Sequence, residues 1–391
     1  MSELLITGAR IVTEQGVIED GVLHATEGRI AFVGTKAAWQ PETASPAAER
    51  IDAAGRWLMP GFIDVHVHGG YGADFMDANP ETLETITKFH VQHGTTGMLA
   101  TTMTQTREAI DRALGEIYAY SRKEMPYAQL LGVHLEGPFV SPKWAGAQDP
   151  KLMLDPQLDW LQDWDERYPG LIKQLTLAPE REGGLAAIAW LRDRGIVAAC
   201  GHTDATYADI VAAADAGLSQ AVHTFNAMKP LHHREPGTVG AVLTDARISA
   251  EIIADGIHVH PAALRLVTLA KPPQGVLLIT DAMSAAGLGD GQYDLGGQAV
   301  TVTSGVARLT EGGALAGSTL TMIDALRFMV REVGVSIEDA SRFASGNPAR
   351  QLGLSATHGS LAAGKHADVL LVSEDLALDG VWVRGKQMLA K

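Results

Sequence analysis

Between about residues 62 and 283 the chain alternates short apolar runs with longer segments of helical periodicity. Eight apolar runs stand out: GFIDVHVH, TGMLATT, LLGVHLEGP, QLTLAPE, IVAACGHTD, QAVHTFNAM, ISAEIIADGIHV and GVLLITDAM. Helix candidates such as ETLETITKFHVQHG and TYADIVAAADAG lie between them. Nearly continuous apolar runs mark strands buried on both faces, as in a parallel sheet covered by helices. Eight such units over this span predict an α/β fold of the (β/α)8 TIM type, which takes ~250 residues. The rival is an open doubly wound sheet, and no G-x-G-x-x-G follows the first run to support it.

The two ends of the chain read differently. LLITGARIV, GVLHATEGRI and AFVG carry the alternation and Gly turns of small hairpins, and ADVLLV and GVWVRGKQML repeat that pattern near the carboxyl end. Both termini are therefore expected to build one small β-sandwich domain, residues 1–58 with 360–391. The barrel would occupy residues 59–359.

Composition removes partners from this picture. The chain has 391 residues, 31 basic against 46 acidic, a formal charge of −15. A nucleic-acid or anionic-membrane binder normally shows the opposite balance, so neither partner is expected. No apolar run approaches the ~18 residues of a membrane span, and residues 1–21 lack the basic-then-apolar order of a signal peptide. One cysteine, Cys200, against fourteen histidines fits a reducing cytoplasm. A bound metal would then be held by imidazole and carboxylate, the donors of catalytic sites.

The polar residues fall where such a barrel places chemistry, at the carboxyl ends of its strands. The first run ends in Asp64-Val65-His66-Val67-His68, and two residues apart on a strand, His66 and His68 share a face. Later runs end in Glu136-Gly137-Pro138, Gly201-His202-Thr203-Asp204, His223-Thr224-Phe225-Asn226 and Thr280-Asp281. One strand histidine alone is more often a core residue than a ligand. Their coincidence at five strand ends points to a metal site.

With that pattern in hand, the chain resembles the amidohydrolase superfamily, whose usual borders are similar to PGFIDVHVHG at 60–69 and GKHADVLLV at 364–372. HLEGPF, GHTDA, HTFNAM, REPG, ADGIHV, TDAM and LAGSTLTM resemble, more narrowly, the N-acetylglucosamine-6-phosphate deacetylase family. The resemblance implies two divalent ions per subunit, zinc or iron. His66, His68, Glu136 and Asp281 would hold one, and Glu136, His202 and His223 the other. It also implies hydrolysis of the acetamide of a phosphorylated amino sugar, with Asp281 as general acid and base. Arg234 would bind phosphate, and Gly137, Gln148, Asn226, Ala227 and His258 would contact the substrate. A homodimer is implied too. Some relatives carry histidine where this chain has Gln148, so a second metal would polarise the carbonyl and leave Gln148 to a sugar hydroxyl. The galactosamine epimer as substrate, or a non-catalytic sugar-phosphate sensor, are the alternatives.

Overall fold

A computed structural model describes residues 3–390 of the chain. Its centre is a sheet of eight parallel strands taken in chain order: Phe62–Val67, Thr95–Thr101, Gln129–Glu136, Ile172–Leu177, Val197–Cys200, Gln220–Ala221, Ser249–Ile253 and Val276–Ile279. These coincide with the eight apolar runs. All six residues of the first strand are buried, as both-face burial in a helix-wrapped sheet demands. Four of the seven intervening helices start on side-chain caps. Asn79 accepts from the Thr82 N–H at the head of Pro80–Val91, and Thr206 and Asp209 form a reciprocal capping box before Tyr207–Ala216.

The first and eighth strands close the barrel through side-chain and backbone bonds. Thr280 donates its hydroxyl to Asp64 Oδ2 at 2.5 Å, and the Asp281 N–H donates to the His66 carbonyl at 2.9 Å. The fully buried Asp64 thus ties together the strands that carry His66 and Asp281.

Both termini build a second sheet of eight strands. Glu3–Thr13, Gly16–Thr26 and Arg29–Thr35 form an antiparallel meander. Glu49–Asp52 and Trp57–Pro60 both run parallel to the first of these, at different points along it, so the sheet forks there. Val369–Val372 then pairs antiparallel with Trp57–Pro60, followed by Leu378–Val383 and Lys386–Ala390. Leu4, Ile6, Ile11, Leu23, Val369 and Trp382 meet in one core cluster here.

A three-stranded antiparallel sheet of Gly291–Leu295, Gln298–Thr303 and Val306–Leu309 was not expected from the sequence. It follows the eighth barrel strand and buries Val300 and Val302 against Met103 and Met283. The alternation in QAVTVT is its signal. Among the described residues, no helix is long and apolar enough to cross a membrane.

Candidate active site

Four imidazoles and two carboxylates converge at the carboxyl-terminal mouth of the barrel. Glu136, closing the third strand, is their hub. Its Oε1 lies 3.3 Å from His66 Nε2, 3.2 Å from His202 Nε2 and 3.1 Å from His223 Nε2. Its Oε2 lies 3.4 Å from His68 Nε2. Asp281 Oδ1 completes the ring, 3.2 Å from His68 Nε2 and 3.5 Å from His66 Nε2. All six side chains are buried. The backbone is bent to achieve this: His202, His223 and Asp281 have φ of 46°, 32° and 51°, a region that costs energy outside glycine and recurs at functional sites.

The donor set fits a metal. His202 Nδ1 donates to the Trp144 carbonyl at 2.9 Å, and His223 Nδ1 to the Asn226 carbonyl at 3.1 Å. With protons on Nδ1, both Nε2 atoms turn lone pairs inward. His66 Nε2 is buried with no hydrogen bond among the described residues. Two groups, His66 with His68 and Asp281, and His66 with Glu136 and His223, each bring ligand atoms within 4.8 Å of one another. Imidazole with carboxylate is a donor set for zinc or iron rather than for alkaline-earth ions.

Electrostatics follow from burying these charges together. Burial opposes protonation of His68, yet its contacts with Asp281 and Glu136 carry its pKa up to about 9. Burial equally opposes ionisation of Asp281, but the charge of His66 and the His68 hydrogen bond bring it down to about 2. Glu136 is buried against the same histidines, with His66 foremost, and is held well below the carboxylate range. His66 and His68 thus face the two carboxylates, each side stabilising the other's charge.

A cavity of about 350 Å³ opens over the cluster. Gln148, Asn226, Ala227 and His258 line it, with Glu136, His202, His223 and Asp281 at its floor. Gln148 accepts the Thr104 N–H on Oε1 at 2.9 Å and donates from Nε2 to Glu136 Oε2 at 2.8 Å. Asp255 accepts from His258 Nδ1 at 2.6 Å, which leaves the other ring nitrogen of His258 unclaimed by that bond. Gly137 stands behind this wall at a φ of 79°, where a Cβ would lie 2.1 Å from Thr104 Oγ1.

Arg234 is the exception. It is exposed, its guanidinium bonds His233 Nε2 at 2.8 Å, and it is not part of the cavity wall of its own chain. Sequence reasoning also missed part of the wall, namely Met103, Lys143, Trp144, Leu295 and Leu315. Lys143 and Trp144 both donate to Asp204 at 2.9 Å, which pins their loop to the end of the fifth strand. Among the other singled-out residues, Cys200 is buried and its thiol is pushed up to about 12 by that burial. His134 packs edge-on against His66, ring centroids 4.6 Å apart, and bonds Thr176 Oγ1 at 2.7 Å.

Comparison with known proteins agrees with this geometry. Residues 57–388 match the model of the amidohydrolase family. The chain is 44% identical over 376 residues to the N-acetylglucosamine-6-phosphate deacetylase of Bacillus subtilis (strain 168), covering 95% of this chain and 93% of that one. It is 40% identical to the N-acetylgalactosamine-6-phosphate deacetylase of Escherichia coli O157:H7, with 98% of each covered. Among solved structures, a mutant N-acetyl-D-glucosamine-6-phosphate deacetylase of Mycobacterium smegmatis, in complex with N-acetyl-D-glucosamine-6-phosphate, superposes over 100% of both chains. Its TM-score is 0.92 at 37% identity. The chain therefore belongs to the amidohydrolase family, and within it to the group of the N-acetylglucosamine-6-phosphate deacetylases.

Proposed function

We propose that the protein is a metal-dependent amidohydrolase that converts N-acetyl-D-glucosamine 6-phosphate to D-glucosamine 6-phosphate and acetate. The observation that carries this reading is the convergence of four histidines, Glu136 and Asp281 beneath a 350 Å³ cavity, in a chain so similar to deacetylases of this substrate. His66, His68, Glu136 and Asp281 would hold one ion and Glu136, His202 and His223 a second. The ligand atoms lie close enough for a metal, and the presence of both His66 and His68 beside Glu136, His202 and His223 supports two ions per chain, zinc or iron. The chemistry a divalent ion supplies there is Lewis-acid polarisation of the amide carbonyl and a lowered pKa for water.

The chain's own residues do the rest. Asp281 takes the proton of the attacking water and returns it to the leaving amine, which must be neutralised before it departs. Gln148, Asn226, Ala227 and His258 orient the sugar, Gly137 lets the strand-three turn pass close behind Gln148, and Leu295 and Leu315 add apolar wall. Arg234, which lies outside the cavity of its own chain, would serve as the phosphate ligand from the second subunit of a dimer, its planar fork matching a phosphate oxygen pair. The assembly is a homodimer in the cytoplasm, and the chain divides into a terminal β domain, 1–58 with 360–391, and a barrel, 59–359. The separate core cluster of the terminal sheet supports that division, with Trp57–Pro60 straddling its first border.

The 40% identity to an N-acetylgalactosamine-6-phosphate deacetylase favours one second reading, the C4 epimer as substrate. Acetate release from each epimer, before and after chelation, tests both. Faster turnover of the glucosamine epimer that chelation abolishes is expected. Preference for the other epimer supports the second reading, and binding without turnover of either overturns the enzyme assignment. Light scattering at working concentration tests the dimer.

A further inference from the structure

One acidic residue inside the barrel has no place in the mechanism above. Glu251 lies mid-way along the seventh strand and is fully buried. Its Oε2 is 2.9 Å from His66 Nδ1. Its Oε1 accepts from Gln174 Nε2 at 2.8 Å and from Gln220 Nε2 at 2.5 Å. Gln220 also donates to Gln174 Oε1 at 2.8 Å, and both glutamines are fully buried. One carboxylate thereby links the first, fourth, sixth and seventh strands across the barrel interior. Packing alone would fill this layer with apolar side chains. A buried carboxylate is costly unless every oxygen is satisfied, and here both oxygens are.

The network acts on His66 in a way that nothing does for the other three histidines. His202 and His223 rest their outer nitrogens on backbone carbonyls, and His68 Nδ1 has no hydrogen bond among the described residues. Only His66, among these described rings, rests its outer nitrogen on a carboxylate. An N–H donated to a carboxylate fixes the tautomer and makes the opposite nitrogen a stronger donor. His66 is also the residue common to both groups of ligand atoms.

We infer that Glu251, locked by Gln174 and Gln220, is a positioning residue that holds His66 with its Nε2 lone pair turned toward Glu136 and Asp281. This rests on the metal reading above. Its effect falls on the ion held by His66 and His68 more than on the ion held by Glu136, His202 and His223.

The test is a titration of metal-stripped wild type and Glu251→Gln with Zn²⁺ against a chromophoric chelator, paired with the visible spectrum of the Co²⁺ forms. Glu251→Gln keeps the shape and removes the charge. Roughly 10- to 100-fold weaker binding of one ion is expected, with the other within about threefold and an altered Co²⁺ spectrum. Glu251→Asp, which restores a carboxylate, should recover part of the loss. Wild-type affinity for both ions and an unchanged spectrum overturn the proposal. If Glu251→Gln does not fold, Gln220→Met decides. Loss of one amide should weaken the same ion roughly three- to tenfold, less than a lost carboxylate, and wild-type affinity there overturns the proposal. A wild-type chain that binds no metal would instead sink the metal reading itself.

Discussion

His202 Nε2 and His223 Nε2 lie 3.1 Å apart, each on a ring whose Nδ1 is bonded to a backbone carbonyl. Two inward lone pairs at that distance repel unless a cation stands between them, so the pair marks a place for a metal ion. At the neighbouring place protons compete with the ion: the pKa of His68 is raised to about 9 by Asp281 and Glu136 against the pull of burial. Below that pH the stripped cluster holds protons that a metal ion must displace. Uptake near pH 7.5 of the ion held by His66 and His68 should therefore release about one proton or more, and its apparent affinity should fall about tenfold per pH unit for each proton displaced. Calorimetry in buffers of different ionisation heat measures the count. Uptake without proton release would show that these histidines are not exchanging protons for the ion.

Asp281 sits at the end of the eighth strand with a φ of 51°, a conformation that asparagine also accepts. Asp281→Asn therefore preserves the turn and an oxygen ligand while removing the proton acceptor. The expected outcome is near-normal metal content with kcat reduced about 10²- to 10⁴-fold, the range for a lost general acid–base. Elemental analysis and steady-state kinetics on one preparation check both halves. Normal turnover would move the proton transfer to another residue.

Gln148 is fixed at its oxygen by the Thr104 N–H, so its amide nitrogen is held toward Glu136 and the cavity. Once Glu136 and His202 are drawn to cations, that nitrogen is left as a donor to the substrate. Gln148→Ala should raise KM about tenfold and leave kcat within about threefold, the pattern of a lost ground-state contact. A large fall in kcat at unchanged KM would instead assign the amide to the transition state, through its 2.8 Å bond to Glu136.

The barrel and its ring of imidazoles and carboxylates were legible in sequence for one reason. A polar side chain at a strand's carboxyl end interrupts an apolar run at a position the fold already marks, as His66, His202 and Asp281 do. Glu251 was not legible because it sits inside its run, and an acidic residue mid-strand declares itself only when the closed barrel turns it toward His66. Lys143 and Leu315 come from loops, whose path over the cavity depends on contacts such as Trp144 with Asp204. The sheet of residues 291–309 carries the alternation of a half-buried hairpin, Val300 and Val302 in and Thr301 outward. Its docking beside the barrel mouth has no local signature. Arg234 was assigned to phosphate only by the family resemblance; on its own it reads as an exposed loop charge, and it is exposed in its own chain.

Asp64 makes the barrel seam sensitive to pH. Its carboxylate accepts from the Thr280 hydroxyl and from the His66 N–H, at 2.5 and 3.2 Å. Burial outweighs these bonds and raises its pKa to about 7, from an ordinary 3.8. Between those two values the folded chain holds a proton that the unfolded chain has lost. The seam's contribution is therefore complete below about pH 4 and declines as pH rises to 7. Asp64→Asn keeps the shape and is neutral throughout, so its stability relative to wild type should climb by on the order of 4 kcal/mol over that window. Urea unfolding of both proteins at matched metal content, at pH 4, 5.5 and 7, measures the difference. A difference that stays flat across the three values would mean that Asp64 is ionised in the folded barrel, with the Thr280 and His66 donors outweighing its burial.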